Sequence, residues 1–476
     1  MNNRLKTTLA VSATMALLPA ISAAGNLSVV GGTAIDPGSG RVIPNATITL
    51  EGGRIVTVVD GAGGEPHPGA EIIDARGKFI LPGFIDAHVH FFQSGGLFTR
   101  PDAVDLTSVR PYTDEVAFIQ KNLQDTFARY IRCGITSVVD VGGPMTNFGL
   151  RDAADAAKAA PRIAVAGPLI SSVARPQLEL KGDAPIVKIE TAEQGVRLVQ
   201  KLAARKPDYV KIWYVVSPES PVEKFRPIVH AVVAESHRLK LRVAVHATEL
   251  EAARAAVEEG AELLVHSVTD RPVDEAFVRL LRERGTILCP TLVVFERYGR
   301  TFTGKLELTP EEKAWGNPEV IASLDVSKLP PGKVPNRIKD ALAHPEPVLD
   351  RIRQTYEIAL KNLKTLHDAG VTIATGTDAG NIGTIHGPAL FREFQLMREA
   401  GLTPLQILAC TTANGAKAFG GDLGARLGVI APGKAADLVI LNSNPLDDIT
   451  QASDIHAVIK NGVLHHADSL PGSPLD

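Results

Sequence analysis

Cysteine is scarce in this chain of 476 residues, which has only Cys133, Cys289 and Cys410. An odd number of widely spaced cysteines does not indicate a disulfide framework, and three exclude a cysteine zinc cluster. A strong excess of one charge is lacking too, because the formal net charge is -3 at pH 7. The charge therefore gives no reason to expect a nucleic acid or an anionic membrane as a partner.

Long apolar runs are lacking after residues 1–24. Within those residues, Arg4 and Lys6 precede the apolar segment "LAVSATMALLPAISAA", which ends in small residues. This layout is typical of a secretory signal peptide, and its apolar part is too short to span a bilayer comfortably. A buried N-terminal helix is the alternative. We expect a periplasmic or secreted protein that is soluble and free of the membrane once the signal is removed.

Both ends of the remaining chain carry short alternating runs, such as "ATITLEGGRIVTVVD" and "IHAVIKNGVLHH". They are broken by Gly, Pro and Asn, which is typical of antiparallel strands and turns. A chain of this length is also too long for one compact core, so two structural units are expected.

The central part, residues 83–421, has a different rhythm. Apolar strand-like runs alternate there with amphipathic helical stretches; the runs are "FIDAHVH", "GITSVVDV", "RIAVAGPLI", "YVKIWYVV", "LRVAVHA", "AELLVHS", "GTILCPTLVV" and "GVTIATGTDAG". Eight strands, most of them followed by helices, predict an α/β fold of the (β/α)8 TIM barrel type. A Pro- and charge-rich insertion at about residues 300–347 is either a lid over the strand ends or a surface decoration.

Polar side chains stand at the ends of several of these runs. His88 and His90 are two residues apart on one strand, so they project to the same side, at the end where barrel active sites are built. His246, His266 and Asp378 end three other strands and are expected at the same mouth. Convergent neutral imidazoles are good ligands for a divalent metal, whereas one histidine alone would more often be a core residue.

Lys211 lies within the apolar strand "DYVKIWY". A buried ammonium is costly, so burial lowers the pKa of a lysine and favours the neutral amine. A neutral amine can add carbon dioxide to become a carbamate, an anion that can bridge two cations. The alternative is a lysine whose amine reaches solvent.

These residues resemble the amidohydrolase superfamily, and specifically its binuclear-metal members with a carboxylated lysine. The motifs are "PGFIDAHVH", the strand-end Lys211, His246 and His266, and "TGTDAG". The segments "HGPALFREFQLMREAGLTPLQILACTTANGAKAFG" and "LGVIAPGKAADLVILNSNPL" are similar to imidazolonepropionase-like metal-dependent hydrolases, a group with exported dipeptidases, prolidase-like enzymes and ochratoxin-type amidases.

The resemblance implies a role for each residue. His88, His90 and Asp378 would hold the more buried of two divalent metals, His246 and His266 the more exposed one, and the Lys211 carbamate would bridge them. Zinc, cobalt and manganese all suit such mixed ligands. The resemblance also implies that residues 25–82 and 422–476 form a small β-sandwich domain beside the barrel.

The mechanism expected from this centre is hydrolysis by a metal-bridging hydroxide, with Asp378 passing a proton to the leaving amine. His386 could hydrogen-bond the substrate and Arg175 could pair with its carboxylate, although structural roles are open for both. Of Trp213 and Tyr214, one would line the pocket, and Tyr214 is assigned to it. The tyrosine that the family's peptidases often place near "VHATE" is absent here.

The sequence thus predicts an exported metal-dependent amidohydrolase that cleaves an amide bond of a small molecule, such as a dipeptide or an N-acyl amino acid. Hydrolysis of a lactone, a cyclic amide or an organophosphate ester on the same centre is an alternative. A mononuclear deaminase is another, against which Lys211 counts, and a binding protein that lost catalysis is a third, against which the full ligand set counts. The number of subunits is left open, a homo-oligomer included.

Overall fold

The computed structural model of the protein describes residues 26–61, 64–472 and 475. The predicted signal peptide lies outside the described residues. The strands are β1 (Leu27–Asp36), β2 (Arg41–Glu51), β3 (Arg54–Val59), β4 (Glu71–Asp74), β5 (Phe79–Pro82), β6 (Phe84–Val89), β7 (Ile135–Asp140), β8 (Arg162–Val165), β9 (Leu169–Ser171), β10 (Ile186–Lys188), β11 (Tyr209–Trp213), β12 (Arg242–His246), β13 (Leu263–Val265), β14 (Ile287–Cys289), β15 (Leu438–Leu441), β16 (Ile455–Lys460) and β17 (Val463–His466).

Helices follow most of the central strands. They are α1 (Tyr112–Lys121), α2 (Leu123–Arg132), α3 (Leu150–Ala156), α4 (Ala192–Ala203), α5 (Val222–Arg238), α6 (Leu250–Glu259), α7 (Glu275–Arg284), α8 (Leu292–Phe302), α9 (Pro310–Trp315), α10 (Pro318–Ser323), α11 (Asn336–Ala343), α12 (Glu346–Asp368), α13 (Ala389–Glu399), α14 (Pro404–Thr411), α15 (Ala413–Phe419) and α16 (Gly421–Gly424). Within the described ranges, no helix combines the length and the apolarity needed to cross a bilayer.

The two ends of the chain meet in one mixed sheet. Its strands lie in the order β17-β16-β15-β5-β1-β2-β3, and β4 pairs with β1. The ends are joined where β15 runs antiparallel to β5, with Leu438 opposite Pro82. Alternate apolar residues of these strands, among them Val29, Ile48 and Ile440, pack into a core of their own. The alternating runs at both ends therefore reflect strands that bury one face.

The central strands are parallel and nearly fully buried, which explains their continuous apolar runs. They form a sheet in the order β6-β7-β8 and a second sheet in the order β10-β9-β11-β12-β13-β14. Residues 371–379 lie between β14 and β6, with parallel bridges from Ile373 to Leu288 and from Ala379 to Val89. The predicted run "RIAVAGPLI" is divided in the structure into β8, in the first sheet, and β9, in the second, with residues 166–168 between them. The α/β class is confirmed.

The eighth predicted strand, residues 371–379, is the least regular. It makes bridges rather than a continuous ladder, and Asp378 near its end has a φ of 59°. Gly376 lets this segment approach the strand of the histidines, because a Cβ there would lie 2.3 Å from the Sγ atom of Cys289 and 2.9 Å from the backbone nitrogen of His88. The close approach brings Asp378 beside the histidines of β6.

The insertion packs against two loops at the same end of the central strands. Its apolar residues, such as Val320, Val326 and Ile338, share a core with Leu97 after β6 and with Ile385 after Asp378. The insertion therefore supports the loops that follow two of the predicted ligand positions.

Candidate metal centre

Three of the predicted ligands meet at the C-terminal end of β6. The Nε2 atoms of His88 and His90 are 3.3 Å apart. The Oδ1 atom of Asp378 lies 3.2 Å from the Nε2 atom of each histidine. His88 is 1% exposed, His90 7% and Asp378 6%, so the three groups are shielded from water. They form a close triangle of ligand atoms inside the protein.

This triangle fits a divalent cation. The Nδ1 atom of His90 donates a hydrogen bond to the Gly142 carbonyl at 2.7 Å, so the Nε2 atom of neutral His90 carries a lone pair. That lone pair faces a carboxylate oxygen, and two buried acceptors repel each other unless a cation lies between them. Ligand atoms about 2.0–2.1 Å from a tetrahedral zinc ion stand about 3.3 Å apart. The measured edges of 3.2 and 3.3 Å match that spacing.

His266, His246 and Lys211 complete the group. The Nε2 atom of His266 is 4.0 Å from the Oδ2 atom of Asp378. The ring centroid of His266 lies 4.4 Å from that of His246 and 5.0 Å from that of His88. Asp378 therefore turns one oxygen toward His88 and His90 and the other toward His266. All six predicted side chains line one cavity of about 320 Å³.

Lys211 is the most unusual member of this group. Its residue is 1% exposed, and its Nζ atom has no hydrogen-bond partner among the described residues. Burial lowers the pKa of the amine to about 7. A buried polar atom without a partner is costly, which points to a group that the Nζ atom would meet when the site is complete.

Burial also keeps the imidazoles of His88, His246 and His266 neutral. It lowers the pKa of His88 and that of His246 to about 3, and it holds the pKa of His266 well below its ordinary value. Burial opposes ionisation of Asp378, but the interaction with His88 outweighs it and holds the pKa of the carboxyl well below its usual range. Neutral imidazole and ionised carboxylate are the forms that bind a metal.

Two buried aspartates that the sequence analysis did not single out position the ligands. Asp86 accepts hydrogen bonds from the Thr377 hydroxyl at 2.6 Å and from the His88 backbone at 3.2 Å, which ties β6 to the segment of Asp378. Asp140 accepts from the Gly142 backbone at 3.1 Å, and Gly142 in turn holds His90. Burial raises the pKa of Asp86 to about 7 and that of Asp140 to about 6.

Backbone strain is also present at this site. His266, Thr291 and Asp378 have φ values of 77°, 48° and 59°, in the left-handed region that favours glycine. Such strain costs about 1–3 kcal/mol for each residue and is typical of functional sites. Thr291 is the partner of His266: its Oγ1 atom lies 2.6 Å from Nδ1 of that histidine. The contact leaves Nε2 of His266 to face the cavity.

Replacing Thr291 with valine is expected to weaken divalent-cation binding by about 10–100-fold, because the valine cannot orient the imidazole of His266. Competition with a chelator measures the affinity. Thr291→Ser is the matched control, since it keeps the hydroxyl, and it should bind the cation nearly as well as the wild type. Equal affinities of the valine and serine variants would contradict an orienting role for the hydroxyl.

The structure corrects the assignment of Tyr214. Its ring is fully buried against Phe225 of α5, and its hydroxyl donates to the Val222 carbonyl at 2.5 Å. Trp213 lines the cavity instead, with its ring centroid 5.9 Å from that of His246. Trp213 is two residues from Lys211, so the two side chains leave the strand on the same side.

His386 and Arg175 do not reach the metal cavity either. The Nε2 atom of His386 donates to the Gln93 carbonyl at 2.8 Å, and its Nδ1 atom lies 2.8 Å from the Tyr130 hydroxyl, so both ring nitrogens are engaged. Arg175 lines a neighbouring cavity, and its Nε atom is 3.3 Å from the Asp102 carboxylate. These positions correct the substrate contacts assigned to both residues.

Comparison with known proteins places the chain in a family. The sequence pattern described as "Amidohydrolase family" matches residues 79–464, which is most of the chain. The chain belongs to the amidohydrolase family. This membership confirms the resemblance inferred from the motifs, and it supports the predicted class of enzyme, a hydrolase that acts on carbon–nitrogen bonds.

Individual relatives are similar over different extents. An adenine deaminase of Paracoccus denitrificans is 37% identical over 75 residues, which cover 16% of this chain and 12% of the relative. An N-acyl-D-aspartate deacylase of Alcaligenes xylosoxydans is 39% identical over 80 residues, covering 17% of this chain and 15% of the relative. A crystal structure titled as a Xaa-Pro dipeptidase with bound methionine matches with a TM-score of 0.68 at 24% identity, over 93% of this chain and 100% of the other. That likeness shows a shared fold.

Proposed function

We propose that this protein is a metal-dependent amidohydrolase that cleaves the amide bond of a dipeptide or an N-acyl amino acid. The observation that carries the proposal is the triangle of His88, His90 and Asp378 ligand atoms, with the buried, unpartnered Nζ atom of Lys211 lining the same cavity. Relatives named as a dipeptidase and as an N-acyl-D-aspartate deacylase give the substrate class its support.

Two divalent cations, zinc in the first instance and cobalt or manganese otherwise, would be held by the six side chains. His88, His90 and Asp378 would bind one cation, His246 and His266 the other, and a carbamate on Lys211 would bridge them. Such cations supply a Lewis acid for the substrate carbonyl and lower the pKa of a bound water.

The protein's own side chains would transfer the proton and position the substrate. Asp378 would accept a proton on a carboxylate oxygen and return it to the nitrogen of the leaving amine. The strained backbone at Asp378 and its link through Thr377 to Asp86 hold the carboxylate in place. Phe92, Leu169, Ile186, Trp213 and Phe295 give the cavity apolar walls that would position the substrate and limit water.

We also propose a domain organisation for the chain. The two parallel sheets, with residues 371–379 bridged to both, would form a (β/α)8 barrel over residues 83–421, with an insertion at about 300–347. Residues 25–82 and 422–476 would form the small β-sandwich. Residues 1–24 would act as a signal peptide, which would place the mature protein in the periplasm or outside the cell.

Metal analysis combined with a substrate screen tests the proposed function. We expect two equivalents of divalent metal per chain and hydrolysis of at least one member of a panel of dipeptides and N-acyl amino acids. The panel includes lactones, cyclic amides, a phosphotriester and aminopurines. One equivalent of metal with release of ammonia from an aminopurine would favour a mononuclear deaminase. Full metal loading without hydrolysis of any compound would favour a binding protein.

A further inference from the structure

The metal cavity holds one charged side chain that the metal centre does not use. Six of its ionisable residues are assigned to the two cations, and the remaining cationic residue in its wall is Arg100, among the described residues. The side chain of Arg100 is 14% exposed. An arginine stays charged even when it is buried, so the wall keeps a positive charge in addition to the groups assigned to the metal ions.

That charge is only partly compensated within the protein. Arg100 donates two parallel hydrogen bonds to Asp102, from Nε to Oδ1 at 2.7 Å and from Nη2 to Oδ2 at 2.7 Å. The same carboxylate also lies 3.3 Å from the Nε atom of Arg175. Within the described chain, Asp102 is the one carboxylate paired with either guanidinium. Two guanidinium groups thus share one carboxylate, so Asp102 does not fully neutralise the pair of Arg100 and Arg175.

Arg100 is also held in a fixed position close to the metal centre. Its Nη1 atom donates to the Asn381 side-chain carbonyl at 2.7 Å and lies 3.1 Å from the Tyr298 hydroxyl. Asn381 in turn donates from Nδ2 to the backbone carbonyl of Asp378 at 3.2 Å. Arg100 is therefore linked through Asn381, by two hydrogen bonds, to the backbone of Asp378. Four of its five N–H groups are engaged by these contacts, which leaves one on Nη2.

We infer that Arg100 binds a carboxylate of the substrate and makes the enzyme selective for anionic amides. This inference rests on the proposed function and adds a specificity residue to it. The carboxylate sits on the α-carbon of the leaving amino acid in a dipeptide or N-acyl amino acid, and on the acyl side in a monoamide of a dicarboxylic acid. Arg175, which the sequence analysis predicts to bind this group, would contribute only indirectly. It shares Asp102 with Arg100, and its Cζ atom lies 5.1 Å from the ring centroid of Trp213.

Binding of matched ligands tests the inference when hydrolysis is blocked. The probes are N-acetyl-L-phenylalanine, its C-terminal methylamide, and the monobenzylamide of succinic acid, each titrated calorimetrically into zinc-loaded protein that carries Asp378→Asn. In this comparison the wild type is the Asp378→Asn protein with Arg100 in place, and each further variant is made in the same background. The wild type should bind at least one of the two acids about 10–100-fold more tightly than the neutral methylamide, as expected for charge-assisted hydrogen bonds. The acid that is preferred identifies the side of the amide that carries the carboxylate.

Arg100→Gln should remove this preference, because the affinity for the acid should fall about 10–100-fold further than the affinity for the methylamide. Arg100→Lys keeps the charge and should retain part of the preference, and Arg353→Gln on the exposed face of α12 should behave as the wild type. Equal weakening of acid and methylamide in Arg100→Gln, or a wild type that does not prefer either acid, would overturn the inference. Failure of the proposed function would give a different result. The protein would still bind the acid more tightly than the methylamide, but the substrate screen would detect no hydrolysis.

Discussion

Asp378→Asn should lower kcat by about 10²–10⁴-fold, the usual contribution of a positioned general acid–base group. Asparagine has nearly the same shape, and its carbonyl oxygen can take the place of Oδ1, which lies 3.2 Å from the Nε2 atoms of His88 and His90. The amide is neutral and cannot accept the proton that the carboxylate would transfer. The expected result is a protein that still contains divalent metal and has lost nearly all turnover.

The experiment combines kcat on the best amide substrate with metal content measured on the same sample. Asp350→Asn, an exposed aspartate on α12, is the matched control and should keep the wild-type kcat. Turnover above about a tenth of the wild type in a metal-loaded Asp378→Asn protein would contradict the proton-transfer role, because a general base contributes at least about 10²-fold. Loss of all metal would instead assign Asp378 mainly to cation binding.

The convergence of the six side chains on one cavity was predictable because strand geometry determines it. His88 and His90 are two residues apart on a strand, so they share a side, and the ends of neighbouring parallel strands meet at one edge. The same rule contains a signal that the sequence analysis left unused. Trp213 is two residues from Lys211 and therefore shares its face of the strand, whereas Tyr214 is three residues away and lies on the opposite face. An inward Lys211 therefore already places Trp213 in the cavity and Tyr214 against a helix.

The supporting contacts were not predictable from local patterns. Asp86 meets Thr377 across 291 residues of sequence, and Arg100 meets Asn381 across 281. The first contact depends on how residues 371–379 approach β6, and the second on how the loops after β6 and after Asp378 fold and pack. An alternating pattern reports which face of a strand is buried, and it carries no information about the path of a loop. For this reason the sequence analysis assigns to Arg175 the role that we propose for Arg100.

Lys211→Met should abolish activity and, at the same time, stabilise the metal-free protein by about 1–3 kcal/mol, the penalty of a buried polar group without a partner. Methionine is apolar and close to lysine in length, so it can fill the same space without an unsatisfied amine. The variant also lacks the atom that would carry the bridging carbamate. Chemical denaturation of chelator-treated protein measures the stability, and metal analysis with kcat/KM measures the function.

The opposite signs of the two effects separate a functional lysine from a structural one. If Lys211 served the fold through an interaction of its amine, Lys211→Met would destabilise the metal-free protein, and that result would contradict the proposal. Lys201→Ala, at an exposed position on α4, is the control and should change neither quantity. In Lys211→Ala, added acetate or propionate should restore metal binding and part of the turnover, because a free carboxylate can occupy the space of the carbamate and bridge the cations in its place.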